Sequence, residues 1–185
     1  MIITVARILA ELDCRWYLFG AQAVNLYARP RLSADVDVTV ELDASLLTTM
    51  IDKMQAQRFD VPVPVEERAA FIAETRVLPF VHRESGLGVD LVLAGPGLES
   101  LFFQRLRFVP LEDMQIPVLC PEDLVVSKIL AARPKDLDDA ANILRALRAS
   151  LRVDMIEALL AELEEALGQS DLLPLLHQLL DPSRK

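Results

Sequence analysis

Long apolar runs are missing from this chain: no stretch approaches the ~18 consecutive apolar residues that a membrane span needs. Cysteine is scarce too. Cys14 and Cys120 make neither a disulfide framework nor a zinc pattern, so each is expected to be a small buried residue. Neither histidine, His82 or His177, has a second His or Cys spaced to complete a metal site. They are expected as an ordinary strand residue and a helix-surface residue. Aromatic residues are 5% of the chain against 52% apolar residues overall, so the core is aliphatic, and Trp16 and Tyr17 belong to it rather than to a base-stacking platform. Positive charge is in deficit. A net charge of −9 argues against a broad, non-specific nucleic-acid surface and leaves room only for a local basic patch. The start Met1-Ile2-Ile3-Thr4-Val5-Ala6-Arg7 does not read as a basic leader before an apolar run, since polar residues interrupt it, and the cytoplasm is the expected location.

What is present is a mixed α/β pattern followed by helices. The 185 residues suffice for one domain with a helical appendage and for a substantial core. Ile2, Val5, Ile8, Leu9 and Leu12 recur at helical spacing, which predicts an amphipathic helix over residues 2–13. Residues 16–19 read as a short buried strand, residues 21–28 as a helix after Gly20, and residues 35–41 as an alternating strand. Asp43-Ala44-Ser45 opens a helix that runs to Gln57, and Val61-Pro62-Val63-Pro64 is extended. A helix over residues 66–75 precedes strands 77–82 and 89–93, joined by the turn Glu84-Ser85-Gly86. Residues 98–106 read as a helix, with short strands near Phe108 and Ile116. From Pro121 the pattern is helical over 122–132, 134–147, 153–167 and 172–180, with Pro134 suited to a first turn and Gly168 to a stop. The expected fold is α+β: a mixed β-sheet flanked by helices as residues 1–119, then a helical region as residues 120–185.

Three constellations carry chemistry. In Asp35-Val36-Asp37-Val38-Thr39-Val40, alternation sends Val36, Val38 and Val40 to one face and Asp35 and Asp37 together to the other. Two carboxylates on one face repel unless a cation or donors compensate, and a divalent metal does so; the plain alternative is a strand edge with solvated acids. Asp90, in Gly88-Val89-Asp90-Leu91-Val92-Leu93, is an acid inside an apolar strand, where desolvation is costly; its alternative is an edge strand facing water. If the two strands are neighbours, three carboxylates converge, a set suited to two-metal phosphoryl transfer in which one of them also takes a proton. Second, Gly20-Ala21 sits at a strand-to-helix turn, where glycine lets backbone approach a phosphate and helix N–H groups face an anion. From the residues alone a plain turn is the simpler reading. Third, Lys128 lies on a helix whose core face is Leu124, Val125, Ile129 and Ala132; Arg133 and Lys135 cluster at the following break, and Asp136 and Asp139 fall in the next helix's first turn, where acids suit the dipole. Capping and surface ion pairing compete there with a phosphate role for Lys128 and a structural or proton-handling role for Asp139.

Taken together, Gly20-Ala21-x-Ala23 and then Arg31-x-Ser33-x-Asp35-x-Asp37 resemble the opening motif of polymerase-β-like minimal nucleotidyltransferases. Within that superfamily the chain is most similar to the AbiEii-type nucleotidyltransferases, the toxin half of many bacterial toxin–antitoxin pairs. Their later motif, a helix Lys and then Arg-x-Lys/Arg-Asp-x-x-Asp, is matched by Lys128, Arg133, Lys135, Asp136 and Asp139. The resemblance spans roughly residues 15–145 and implies a nucleotidyltransferase-like sheet. It implies Asp35 and Asp37 as magnesium (Mg2+) ligands, with Asp90 completing a catalytic site that also includes Lys128. It places Gly20, Ala21 and Ser33 near a triphosphate, Lys128 in contact with it, Asp139 in the nucleotide site, and Arg31 positioning phosphate or acceptor. The implied partners are an NTP donor, an RNA, tRNA or protein hydroxyl as acceptor, and a cognate antitoxin. Ala21 departs from the usual Gly or Ser, which removes any side-chain hydroxyl but leaves a backbone N–H, and Ala28 stands where a Gly is usual before the Arg loop. Two other readings stay open: a small-molecule acceptor, as in antibiotic adenylylation, and a relict nucleotide-binding or partner-binding protein, which Ala21 favours.

Overall fold

The computed structural model describes residues 1–181. They gather into two compact units, Met1–Gln22 with Leu32–Leu119, and Ala23–Arg31 with residues 120–181.

The first unit holds the sheet. Strands β1 (Arg15–Phe19), β2 (Val36–Glu41), β3 (Phe59–Asp60), β4 (Val77–His82), β5 (Gly88–Leu93), β6 (Arg107–Leu111) and β7 (Met114–Val118) form one seven-stranded sheet in the order β3-β4-β5-β2-β1-β7-β6. Pairing is mixed: β2 runs parallel to β5 and β1 to β7, and the other neighbours are antiparallel. Val36, Val38 and Val40 on β2, with Val89 and Leu91 on β5, are at most 3% exposed. Each contributes roughly 1.5–3 kcal/mol by leaving water. Because side chains alternate, this buried valine face fixes Asp37 and Asp90 on the opposite one. Helix α1 (Ile2–Glu11) buries Val5, Ala6, Ile8 and Leu9, the stripe its spacing demands, and packs on α3 (Leu47–Ala56), which buries Met50, Ile51 and Met54. Asp43 caps the 3-10 turn Ala44–Leu46, accepting from the Ser45 N–H at 2.8 Å. Helices α4 (Val65–Thr75) and α5 (Leu98–Phe102) complete this unit.

The second unit is helical: α6 (Pro121–Ala131), α7 (Pro134–Ala146), α8 (Val153–Leu167) and α9 (Leu172–Leu180), together with the last turns of α2 (Gly20–Tyr27). Helix α6 packs on α7, α8 and α9, around Leu124, Val125, Ile129, Ile143, Ile156, Leu160 and Leu176, all fully buried. Pro134 takes the first turn of α7. Gly168 ends α8 at φ 66°, a left-handed conformation that lets its own N–H and that of Gln169 return to the Glu164 carbonyl.

The fold is therefore the mixed sheet with helices, followed by helices, that the pattern implied. Four local differences have physical causes. Helix α1 stops at Glu11 rather than residue 13, because Asp13 turns left-handed at φ 53°. Asp35 lies just before β2 rather than in it; the ladder begins at the Val36↔Val89 pair. Helix α5 ends at Phe102 rather than residue 106, where the N–H groups of Gln104 and Arg105 bond three residues back instead of four. Cys14 is half-buried, whereas Cys120 is buried as expected. Trp16 and Tyr17 are core residues at 8% and 2% exposure. Among the described residues no helix is long and apolar enough to cross a membrane.

Candidate active site

In the first unit the site is built on the paired ends of β1, β2 and β5. Phe19, the last residue of β1, is the register partner of Asp37, so Gly20 follows directly beside the Asp37 side chain. Gly20 has φ 64°, and a Cβ there would fall 1.9 Å from Asp37 Oδ2. Conformation and close approach both demand glycine. The Asp37 carboxylate thus lies against the first residue of α2, where the positive end of a helix favours an anion. Asp90 is the parallel register partner of Asp37, so the two acids leave neighbouring strands, spaced about 4.8 Å apart, on one face. Asp35 joins them from the loop. Its Oδ1 lies 2.7 Å from where a Cβ on Gly88 would stand, and Gly88 is two residues before Asp90 on β5. Ser33 Oγ donates to the Asp35 carbonyl at 3.5 Å, and its own carbonyl accepts from Gln22 Nε2 at 3.3 Å. The Ala21 side chain is buried.

Burial, and then the charge of Asp35, push the Asp90 carboxyl above the usual aspartate range. Among the described residues no three His, Cys, Asp or Glu side chains are gathered into a ready-made metal cage. The side chains of Asp35, Asp37 and Asp90 offer only oxygen donors, the ligand type a hard divalent cation takes.

The second unit brings the other motif residues together in an ion network. Lys128, 6% exposed, donates from Nζ to Asp136 Oδ1 at 2.8 Å and lies 3.0 Å from Asp139 Oδ2. Arg133 pairs with the other Asp136 oxygen. Asp139, 1% exposed, accepts from Arg31 in fork geometry, Nε to Oδ1 at 2.7 Å and Nη2 to Oδ2 at 2.8 Å. Asn25 fixes the Arg31 backbone from both sides, accepting its N–H at 2.9 Å and donating to its carbonyl at 3.0 Å. Burial pushes Asp139 up, but hydrogen bonds and charges from Arg31 and Lys128 outweigh it and hold the carboxyl below the ordinary range. For Asp136, burial is likewise outweighed by Arg133 and Lys128. The segment is ion-paired, but in a buried network and not at the surface: Lys128 is engaged by two buried carboxylates. Gly88 and Asn25 were not singled out by sequence. A glycine opening a strand two residues before an acid was the available signal for the first, and nothing local marked the second.

The family described as "Nucleotidyltransferase of unknown function (DUF6036)" matches residues 5–171. No curated protein sequence matches. Among solved structures, the antibiotic-resistance factor ANT(2'')-Ia superposes with a TM-score of 0.61 at 10% identity, over 90% of this chain and 91% of that one. The lincosamide antibiotic adenylyltransferase LnuA, lincomycin-bound, gives 0.51 at 14% identity, over 77% and 93%. An antigenic nucleotidyltransferase-like protein from Paracoccidioides brasiliensis gives 0.52 at 16% identity, over 94% and 89%. At these identities the likeness shows a shared fold.

Proposed function

Because the chain belongs to this nucleotidyltransferase family, we propose that it is a magnesium-dependent enzyme moving a nucleoside monophosphate from an NTP to an acceptor hydroxyl. The observation that carries the reading is the Asp37↔Asp90 register pair on the open face, with Asp35 beside Gly88 and Gly20 clearing room for Asp37. The acceptor oxygen attacks the α-phosphorus, the bond from that phosphorus to the bridging oxygen breaks, and pyrophosphate leaves. The hydroxyl proton passes to whichever of these carboxylates lies nearest the hydroxyl. Asp35, Asp37 and Asp90 would hold magnesium, which when bound offsets phosphate charge and acidifies the attacking hydroxyl. Gly20, Ala21 and Ser33 line the turn assigned to the triphosphate, with the Ala21 N–H serving where the side chain offers nothing. Arg31 is the phosphate-positioning or acceptor-positioning group, and Lys128 and Asp139 hold it in place.

The Lys128 to Asp139 motif supports an AbiEii-like setting, with an RNA, tRNA or protein hydroxyl as acceptor and a cognate antitoxin as partner. A small-molecule acceptor is the second reading, supported by the fold shared with two antibiotic-modifying proteins. The test is incubation with each NTP, labelled at the α or the γ phosphate, plus magnesium and separately total RNA, a protein extract or hydroxylated antibiotics. Transfer of α label alone, with pyrophosphate release, is expected, and the labelled pool names the acceptor. Absence of transfer to every pool favours the relict-binding alternative.

A further inference from the structure

A cleft of about 300 Å³ opens beside the Asp35 loop within the first unit, and no step of the transfer above occupies it. Ser33, Ala34 and Val36, the near neighbours of Asp35 in sequence, line it together with Ile2, Leu87 and Leu111. Leu87 directly precedes Gly88, the residue against which the Asp35 carboxylate lies. The cleft therefore borders Asp35 twice, through its own loop and through the start of β5. Gln22, also on the wall, ties this loop to α2 by donating to the Ser33 carbonyl.

The chemistry of the wall is not that of a phosphate site. Among the described residues lining it there is no Lys, Arg or His, and the charged side chain is Glu112, exposed at the tip of the β6–β7 hairpin with φ 52°. Asp113 beside it is paired with Arg7 at 3.0 Å. Leu87 and Leu111 are 36% and 39% exposed, among the few large apolar side chains that the described residues leave open to water. Two leucines at one concavity gain by meeting an apolar group. A phosphate there would instead face Glu112 and the exposed Asp35, with no cationic side chain on the wall to offset them. The volume stands at the lower end of the ~300–1,000 Å³ range of small-molecule sites, which suits one arm of a ligand.

We propose that this cleft selects the acceptor: it takes an apolar, uncharged arm of a hydroxyl-bearing small molecule and so brings the hydroxyl to the Asp35 side of the acid face. The inference rests on the transferase reading and picks a small-molecule acceptor over RNA. Leu87 and Leu111 are the contacting groups, and Glu112 turns anions away.

The test titrates the full chain, without NTP, with n-hexanol and with n-hexyl phosphate, and follows the methyl resonances of Ile2, Val36, Leu87 and Leu111 by NMR. Hexanol is expected to shift these methyls saturably and to bind about tenfold or more tighter than hexyl phosphate. Read at Ile2 and Val36, the Leu87→Ala/Leu111→Ala double variant is expected to bind hexanol about tenfold more weakly. Glu112→Gln is expected to tighten hexyl phosphate, a gain that misfolding cannot produce. Shifts that are absent, or confined to methyls elsewhere, overturn the site, and equal affinity for the two probes overturns its chemistry. In α-label transfer to the acceptor pool that takes label, the double variant is expected to raise the acceptor KM about tenfold and leave the NTP KM unchanged. RNA as the sole labelled pool, or an unmoved acceptor KM, overturns the acceptor role. Hexanol bound at the cleft with no transfer to any pool removes the transferase reading and leaves an apolar ligand site. Transfer with no hexanol bound at the cleft does the reverse.

Discussion

Replacing Gly20 with alanine puts a methyl group where the Asp37 carboxylate lies. The new Cβ would stand 1.9 Å from Oδ2, 2.5 Å from Cγ and 2.8 Å from Cβ of Asp37, on a backbone at φ 64°. The left-handed conformation costs an alanine roughly 1 kcal/mol. Forcing an extra carbon into an occupied position costs about 1–3 kcal/mol more. The total, about 2–4 kcal/mol, corresponds for a chain of this size to a fall in Tm of roughly 4–16 °C. Urea unfolding followed by circular dichroism measures it. Transfer activity falls too, because relief of the overlap moves Asp37 off the face it shares with Asp90. Adding Asp37→Ala to Gly20→Ala removes the two shortest overlaps and keeps the third, so part of the lost stability returns although activity does not. A Gly20→Ala protein within about 0.5 kcal/mol of wild type and fully active would refute the close approach of Asp37 to this turn.

Other substitutions separate stability from chemistry. Lys128→Met removes the cation that Asp136 and Asp139 share, leaving Asp136 with Arg133 and Asp139 with Arg31, and is expected to destabilise by about 1.5–3 kcal/mol in urea titrations. Because Asp136 and Asp139 are held below the ordinary aspartate value of 3.8, their stabilisation is intact above that value and is lost as pH falls through the lower folded values; urea midpoints collected downward from pH 7 should drop there, and less steeply in Asp139→Asn. Asp90 behaves oppositely: its raised carboxyl costs stability as pH rises past 3.8, so Asp90→Asn is expected to raise Tm at neutral pH while abolishing transfer, and added magnesium should raise the Tm of wild type but not of this variant.

Much of this was legible in the sequence where one period governs a segment. The valines at 36, 38 and 40 oriented Asp37, and Val89 and Leu91 oriented Asp90, because burying one strand face fixes the other. What alternation cannot give is which strands are neighbours. The Asp37↔Asp90 pair depends on a parallel crossover, and β3, only two residues long, exists through its pairing with β4. Local sequence marked Gly20 as a turn glycine; its contact with the Asp37 carboxylate could not be read there, because the β1–β2 register sets it. Lys128 shows a different limit. A lysine beside a helical core stripe reads as a surface residue, yet it is buried, because Asp136 and Asp139 return from the far side of the Pro134 break to compensate it. The fork between Asp139 and Arg31 joins residues 108 positions apart, beyond any periodicity.

The central claim is that the acids on β2 and β5 carry metal-dependent nucleotidyl transfer. Pyrophosphate release, measured with the identified NTP and acceptor across a magnesium titration, tests it in wild type, Asp37→Asn and Asp90→Asn. The expected result is release that requires magnesium in wild type and falls about 100-fold or more in each variant. Release that persists in both variants, or that ignores magnesium, would contradict it.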